Sequence, residues 1–281
     1  MPTIEIENLS YTYPGCETPA LDNLSLEIEQ ARFVAVIGAN NAGKTSLCHA
    51  LTGVIPHLYQ GGLQGRVSVC GHDTARATVS DLAESIGFVM QNPESQLSGV
   101  RFTVRDEIAF GLENRGMDRQ SMLDRVNKAL ALTGLSDLAD RSPHHLSGGQ
   151  LQKVALASAV AGDTPILALD EPTTFLDPVS AQAVFAILRQ LRKQGKTIVV
   201  AEQRLESVAL FADRVIALHK GKVVLDGLPE EVLTSPLIRD IGLDWTRFTR
   251  IGERARERGL WQEETGLPTT LKDTVKGLAH G

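Results

Sequence analysis

The run FVAVIG (33–38) constrains the chain most, because consecutive apolar residues end at a glycine and lead straight into ANNAGKT. A strand with one wet face alternates polar and apolar residues, whereas an unbroken apolar run marks a strand buried on both faces. PILALD (165–170) and TIVVAE (197–202) have the same character. Between them Val184, Ile187, Leu188 and Leu191 recur at i, i+3, i+4 and i+7, a helical stripe closed by Gly195. Doubly buried strands separated by helices predict a parallel α/β core. A chain of 281 residues has room for one large domain or two small ones.

Other periodicities surround that core. Ile4 and Ile6 alternate with Glu5 and Glu7, and Leu24, Leu26 and Ile28 with Ser25, Glu27 and Glu29, which predicts antiparallel strands with one wet face. From about 92 to 161 the pattern is helical, as in 122–132 and 151–160, with no strongly buried strand, so an inserted helical subdomain is expected. RVIALHKGKVVLDG (214–227) predicts a hairpin turning at Lys220 and Gly221. The chain then becomes more polar and largely helical in pattern.

GANNAGKT (38–45) fits G-x-x-x-x-G-K-[ST] in the setting where that pattern has meaning, after a buried strand and before a helix starting near Gly43. The residues Gly38, Ala39, Asn40, Asn41, Ala42, Gly43, Lys44, Thr45 and Ser46 form the candidate phosphate cradle. Curled backbone N–H groups and the positive helix end converge on a phosphate, and Lys44 adds a point charge between the β and γ groups. Thr45 offers a hydroxyl to Mg2+. Asn41 stands where glycine is common, and asparagine tolerates a left-handed backbone. This loop by itself does not separate kinases, GTPases and ATPases.

The run PILAL leads into Asp170 and Glu171, two carboxylates at the carboxyl end of a central strand. Asp170 is a candidate for holding Mg2+ through water, and Glu171 for orienting or deprotonating the water that attacks the γ-phosphate. The alternative is a solvated strand end that caps the next helix. LSGGQ (146–150) places Ser147, Gly148 and Gly149 at the start of a helix from Gln150, where exposed N–H groups and a hydroxyl make a second anion site. A plain serine cap with glycines beside it is the other reading.

With the phosphate loop, LSGGQ and ALDEPT (168–173), the chain resembles the nucleotide-binding subunits of ATP-binding-cassette proteins, from residue 4 to about 232. The resemblance implies an ABC-type P-loop NTPase fold, with a RecA-like mixed or parallel sheet core, an N-terminal antiparallel β subdomain and an inserted helical subdomain. It implies an ATPase domain over 1–232, with the insertion at about 92–161, and a short C-terminal helical extension over 233–281. ATP and Mg2+ are the implied cofactors. A head-to-tail dimer is implied as well, in which ATP on Lys44 of one subunit is covered by Ser147, Gly148 and Gly149 of another, a copy of this chain or a homologous one.

Carried over residue by residue, Tyr13 matches the aromatic that stacks on adenine, although a strand-end tyrosine packed for its own sake is a rival reading. Gln91, in FVMQNP, matches the glutamine that touches Mg2+ and senses the transport partner. FLDP (175–178) matches the loop whose aspartate, here Asp177, links the two composite sites; a helix cap is compatible with that role. The chain departs from the family at Gln203, in AEQRLE, where a histidine usually contacts the γ-phosphate. Glutamine donates a hydrogen bond but cannot share a proton as imidazole does, so a slower site is expected.

The segment 91–114, with YTYPG (11–15), is similar to the ATPases of energy-coupling-factor importers, the CbiO-like group that serves uptake of vitamins, thiamine precursors or transition-metal ions. That resemblance implies a transmembrane coupling subunit gripped near 106–112, a separate substrate-capturing membrane subunit, and a peripheral position on the cytoplasmic face of the membrane. A soluble cassette ATPase of translation or DNA repair is the alternative. It fits less well, because the chain has one phosphate loop and no sustained heptads.

Composition narrows the field further. Lys and Arg number 28 against 34 Asp and Glu, a net charge of −6, so no bulk positive field draws nucleic acid and no nucleic-acid partner is expected. No apolar run approaches a bilayer span, and MPTIEIENLS lacks the features of an export signal. Cys16, Cys48 and Cys70 read as reduced thiols filling small core positions. Trp245 and Trp261 both lie in the tail, which either packs a small core or meets another copy of the chain, packing within the chain being the favoured reading. The segment 253–258 reads as a solvated helix face rather than a nucleic-acid patch.

Overall fold

The computed structural model describes residues 2–262 and 266–279, so parts of the expected helical extension, 263–265 and 280–281, lie outside the described residues. Strands β1 (Pro2–Thr12) and β2 (Leu21–Glu29) pair antiparallel, with Ile4 opposite Ile28 and Ile6 opposite Leu26. Their apolar residues are buried while Glu7, Ser25 and Glu27 face water, as the alternation requires. Strand β3 (Phe33–Ile37) is buried at every position and delivers the chain to the phosphate loop and helix α1 (Lys44–Leu51).

A short turn of helix, α2 (Val54–His57), precedes β4 (Gly62–Val69) and β5 (His72–Asp73), which complete an antiparallel sheet in the order β2-β1-β4-β5. Helix α3 (Val79–Ser85) leads into β6 (Ile86–Val89). Neither β4 nor β6 is visible in the sequence pattern. The first five residues of β4 escape burial, and β6 is a four-residue strand at the edge of its sheet.

The insertion contains α4 (Pro93–Gln96), α5 (Val104–Asn114), α6 (Arg119–Thr133) and α7 (Gly148–Ala161). It has its own core, built from Val104, Ile108, Leu112, Val126, Leu130 and Val154. Helix α7 faces two ways: Val154 and Ala157 join that core, while Ala155, Leu156 and Ala159 pack into the main one. This helix therefore couples the insertion to the sheet.

Strand β7 (Ile166–Asp170), helix α8 (Pro178–Lys193), strand β8 (Thr197–Ala201), helix α9 (Leu205–Phe211) and the hairpin of β9 (Arg214–His219) and β10 (Lys222–Gly227) finish the second sheet. Its order is β10-β9-β3-β8-β7-β6, parallel except for the β9–β10 pair. Helix α8 buries Ala181, Val184, Phe185, Leu188 and Leu191 on one stripe, each of the larger side chains contributing about 1.5–3 kcal/mol. Phe185 lies between Phe33 and Phe211, with ring centroids 6.2 and 5.4 Å away.

The tail carries α10 (Pro229–Val232), α11 (Leu237–Asp240), α12 (Arg247–Glu257) and α13 (Leu271–Leu278). Val232, Leu233, Ile238 and Ile241 all belong to the main core, so packing runs on across residue 232. Trp245 donates from Nε1 to the Ser235 carbonyl at 3.1 Å, and Trp261 is buried against Gly277 of α13. Both tryptophans pack within the chain. The cysteine expectation needs correction: Cys48 alone is buried, whereas Cys16 and Cys70 are exposed in turns where a small residue fills no core space.

Candidate active site

The site forms where β3, β6, β7 and β8 end side by side, at the carboxyl edge of the parallel sheet. After β3 the backbone curls, with Asn41 at φ +63° and Gly43 at φ +108°. Asparagine accepts that left-handed geometry at modest cost, as the sequence suggests, and Gly43 is hemmed in by the Ala20 carbonyl. Helix α1 begins at Lys44 with Gly43 as its cap and no side chain capping it, so its first N–H groups point into the loop.

Lys44 is 5% exposed. Its Nζ donates to the carbonyls of Gly38 at 2.9 Å and Ala39 at 3.1 Å, and lies 3.2 Å from Glu171 Oε1. Glu171 is the hub. The Gln203 amide donates to its Oε1 at 2.6 Å and to Asn40 Oδ1 at 3.0 Å, while the Gln91 amide and the Thr174 hydroxyl donate to its Oε2 at 3.1 and 3.3 Å. The Glu171 backbone N–H is pinned to the Ala201 carbonyl at 2.9 Å, and its φ of +46° is a left-handed conformation that costs a non-glycine residue energy. Residues separated by up to 163 positions thus meet on one carboxylate and its neighbours.

Asp170 lies beside this hub and is 2% exposed. Burial pushes its carboxyl up from the ordinary range and the nearby Glu171 adds to the rise, against the lowering effect of the Thr45 hydroxyl and Lys44. Its Oδ1 is buried with no hydrogen-bond partner among the described residues. An orphaned carboxylate oxygen beside the Thr45 hydroxyl, with the Gln91 amide on the neighbouring Glu171, fits Mg2+, a hard cation that takes oxygen ligands and needs few of them from protein. Among the described residues no group of three His, Cys, Asp or Glu is placed to hold a metal by itself.

A cavity of about 730 Å³ opens above these groups, lined by Tyr13, the loop from Asn40 to Ser46, Gln91 and Glu171. Its volume is within the range of small-molecule sites. Tyr13 donates to or accepts from Ser46 Oγ at 3.1 Å and meets Tyr11 and Tyr59 edge-on, centroids 4.8 and 5.8 Å away. Tyr13 thus packs against its tyrosine neighbours and also walls the cavity. Cys16, Thr18 and Pro19 line it too and carry no motif that sequence reading could use. A comparable cavity of about 780 Å³ beside Trp261 and Thr270 has no phosphate loop, so chemistry and not size selects the first.

Ser147, Gly148, Gly149 and Gln150 do not line that cavity. They form the start of α7, which begins at Gly148, two residues earlier than the sequence suggests. Gln150 N–H donates to Ser147 Oγ at 3.3 Å and Ser147 N–H to Gln150 Oε1 at 3.0 Å, a reciprocal cap. Among the described residues nothing beyond its chain neighbours and its own helix stands within 4 Å of where a Gly148 side chain would begin, so this helix start is open. Asp177 likewise stands apart from the cavity and caps α8, accepting from Val179 and Ser180 N–H at 2.9 and 3.0 Å.

Known proteins resemble this chain over most of its length. A family model described as ABC transporter matches residues 21–174. The energy-coupling factor transporter ATP-binding protein EcfA1 of Bacillus subtilis is 38% identical over 279 residues, 98% of this chain and 95% of that protein. EcfA of Methanothermobacter thermautotrophicus is 35% identical over 280 residues, 99% of this chain and 86% of its own length. Among solved structures, cbiO1 from Clostridium perfringens, described as part of the ABC transporter complex cbiONQ, superposes with a TM-score of 0.74 at 31% identity, covering 91% of this chain and 99% of that one. An ATP-binding cassette solved as a dimer in a post-hydrolysis state with ADP and Pi gives a TM-score of 0.72 at 27% identity, covering 80% and 98%.

Proposed function

The chain belongs to the ABC transporter ATP-binding family, and from that premise we propose that it is the ATP-hydrolysing subunit that energises an importer of the energy-coupling-factor type. The observation that carries the reading is the convergence of Lys44, Gln91 and Gln203 on Glu171 at the floor of the phosphate-loop cavity.

In this reading ATP enters with adenine against Tyr13 and its phosphates on the N–H groups of residues 38–46. Lys44 leaves the Gly38 and Ala39 carbonyls and Glu171, and takes up the β and γ oxygens. Thr45, Gln91 and Asp170 would hold Mg2+, which would supply neutralisation of the charge on the phosphates. Glu171, freed from Lys44, accepts the proton of the attacking water, with Gln203 orienting its carboxylate and donating toward the γ-phosphate. Imidazole would relay a proton here, and an amide only points one.

The open start of α7, with Ser147, Gly148, Gly149 and Gln150, serves the nucleotide of a second cassette subunit, a copy of this chain or a homologous one, and Asp177 stands where the two sites meet. ATP closes the head-to-tail pair, and hydrolysis reopens it. The relatives named energy-coupling factor and cbiONQ support partners in the membrane, namely a coupling subunit and a substrate-capturing subunit for a vitamin, thiamine precursor or transition-metal ion. Among the described residues no helix is long and apolar enough to cross a membrane; in this reading the chain is held at the cytoplasmic face by those partners. Exposed Val100 and Phe102, just before α5, suit such a contact. Gentle detergent extraction tests the reading: copurification with two membrane proteins and a small molecule is expected, whereas recovery with ribosomes or repair factors overturns it.

A further inference from the structure

Glu202 carries a carboxylate for which the hydrolytic reading has no use. It is 2% exposed, at the end of β8. Its Oε1 accepts the backbone N–H of Gln203 at 2.9 Å and of Arg204 at 3.1 Å, and its Oε2 accepts the hydroxyl of the fully buried Thr173 at 2.7 Å. A buried carboxylate is costly unless it is hydrogen-bonded, and charge-assisted bonds of this kind are strong and directional. The geometry is therefore held firmly at the residue whose amide reaches Glu171 and Asn40.

Arg204 continues the chain of contacts. Its Nη2 donates to the Leu176 carbonyl at 2.6 Å, in the loop that carries Asp177. The Leu176 side chain is buried in the main core, and a side chain begun at Gly149 would stand 3.1 Å from its Cδ2. Leu176 thus underlies the start of α7.

We infer that Glu202 and Arg204 are positioning residues: Glu202 sets the Gln203 amide against Glu171, and Arg204 ties that segment to the 175–178 loop and, through Leu176, to the 147–149 motif. One chain's own nucleotide site is thereby linked mechanically to the motif it lends its neighbour. The inference rests on the assignment of hydrolysis to Glu171.

The test compares steady-state ATP hydrolysis by the full chain and its Glu202→Ala, Glu202→Gln, Arg204→Ala and Arg204→Lys variants, with Glu171→Gln as reference. Glu202→Ala is expected to lower kcat about tenfold with KM within about twofold. Glu202→Gln still accepts both N–H groups and pairs with the Thr173 hydroxyl, so it recovers to within about threefold of the parent. Arg204→Ala loses about fivefold in kcat, and Arg204→Lys regains part of it. Should Glu202→Ala not fold, Thr173→Val, which removes a single hydrogen bond, is expected to lower kcat about threefold at unchanged KM. Parent kcat in Glu202→Ala and Arg204→Ala, or in Thr173→Val where it is the deciding variant, overturns the inference alone if Glu171→Gln is inactive. Parent kcat in Glu171→Gln removes the hydrolytic assignment and this inference with it.

Discussion

Replacing Glu171 by glutamine removes one charge from the centre of the site and keeps its shape. The ion pair it breaks is short and sheltered: Lys44 Nζ lies 3.2 Å from Oε1, with side-chain exposures of 5% and 10%. At an effective dielectric constant of about 20 that separation corresponds to roughly 5 kcal/mol of gross attraction. In the proposed binding mode ATP breaks this pair so that Lys44 can reach the β and γ oxygens, and the Glu171 carboxylate repels the γ-phosphate as well. Most of the gross figure is offset by desolvation already incurred and by the amide that replaces the carboxylate. A net effect on the order of 1–2 kcal/mol remains, about tenfold tighter ATP binding. Hydrolysis is expected to fall by about 10²–10⁴, the usual contribution of a general base. Calorimetric titration with ATP and steady-state phosphate release measure the two effects on one preparation. A Glu171→Gln chain that hydrolyses ATP at the parent rate, or binds it more weakly, refutes the reasoning.

Gln203→His should raise the ATPase rate of the assembled complex, since imidazole can share a proton where the amide cannot; an unchanged or lower rate counts against the assignment. Asp170→Asn should raise the thermal midpoint of the nucleotide-free chain near neutral pH while abolishing Mg2+-dependent nucleotide binding. The sign follows from linkage: burial raises the native pKa, so the native state holds its proton more tightly than the unfolded chain, and wild-type stability is lost as pH rises through that window. The advantage of asparagine is therefore largest at neutral pH and shrinks as pH falls toward the unfolded carboxylate range. Gly277→Ala puts a methyl into the Trp261 ring and should destabilise the tail by about 1–3 kcal/mol, seen as a red shift of tryptophan emission at lower denaturant; an unshifted transition contradicts that packing.

What could be read from the chain alone follows from how local each signal is. Strands β3, β7 and β8 declare themselves because burial on both faces leaves unbroken apolar runs, and the Lys44 loop because a phosphate cradle needs fixed residue types at fixed spacing. The antiparallel pairing of β1 with β2 and the β9–β10 hairpin are carried by alternation and a glycine turn. Strand β4 is less legible, since its place is set by pairing with β1, a strand far away along the chain, and its first half is not buried. Edge strand β6 is too short for a pattern. Cys16 and Cys70 mislead because cysteine is usually small and buried, yet turns accept it too. The hydrogen bonds that fasten Gln203, through Glu202 and Thr173 across 29 positions, leave no trace in spacing at all. An ordinary acidic residue beside a motif says nothing until its carboxylate is seen to be buried.

The central claim is that each triphosphate is shared between chains. A photo-crosslinking residue placed at Ser147 in Glu171→Gln protein, illuminated with and without Mg-ATP in the purified assembly, tests it most directly. The account predicts an ATP-dependent product joining two polypeptides, its crosslink mapping to the loop that carries Lys44 or to the matching loop of the homologous subunit. A crosslink to the Lys44 loop of the same polypeptide, or no product between chains when ATP is bound, would contradict it.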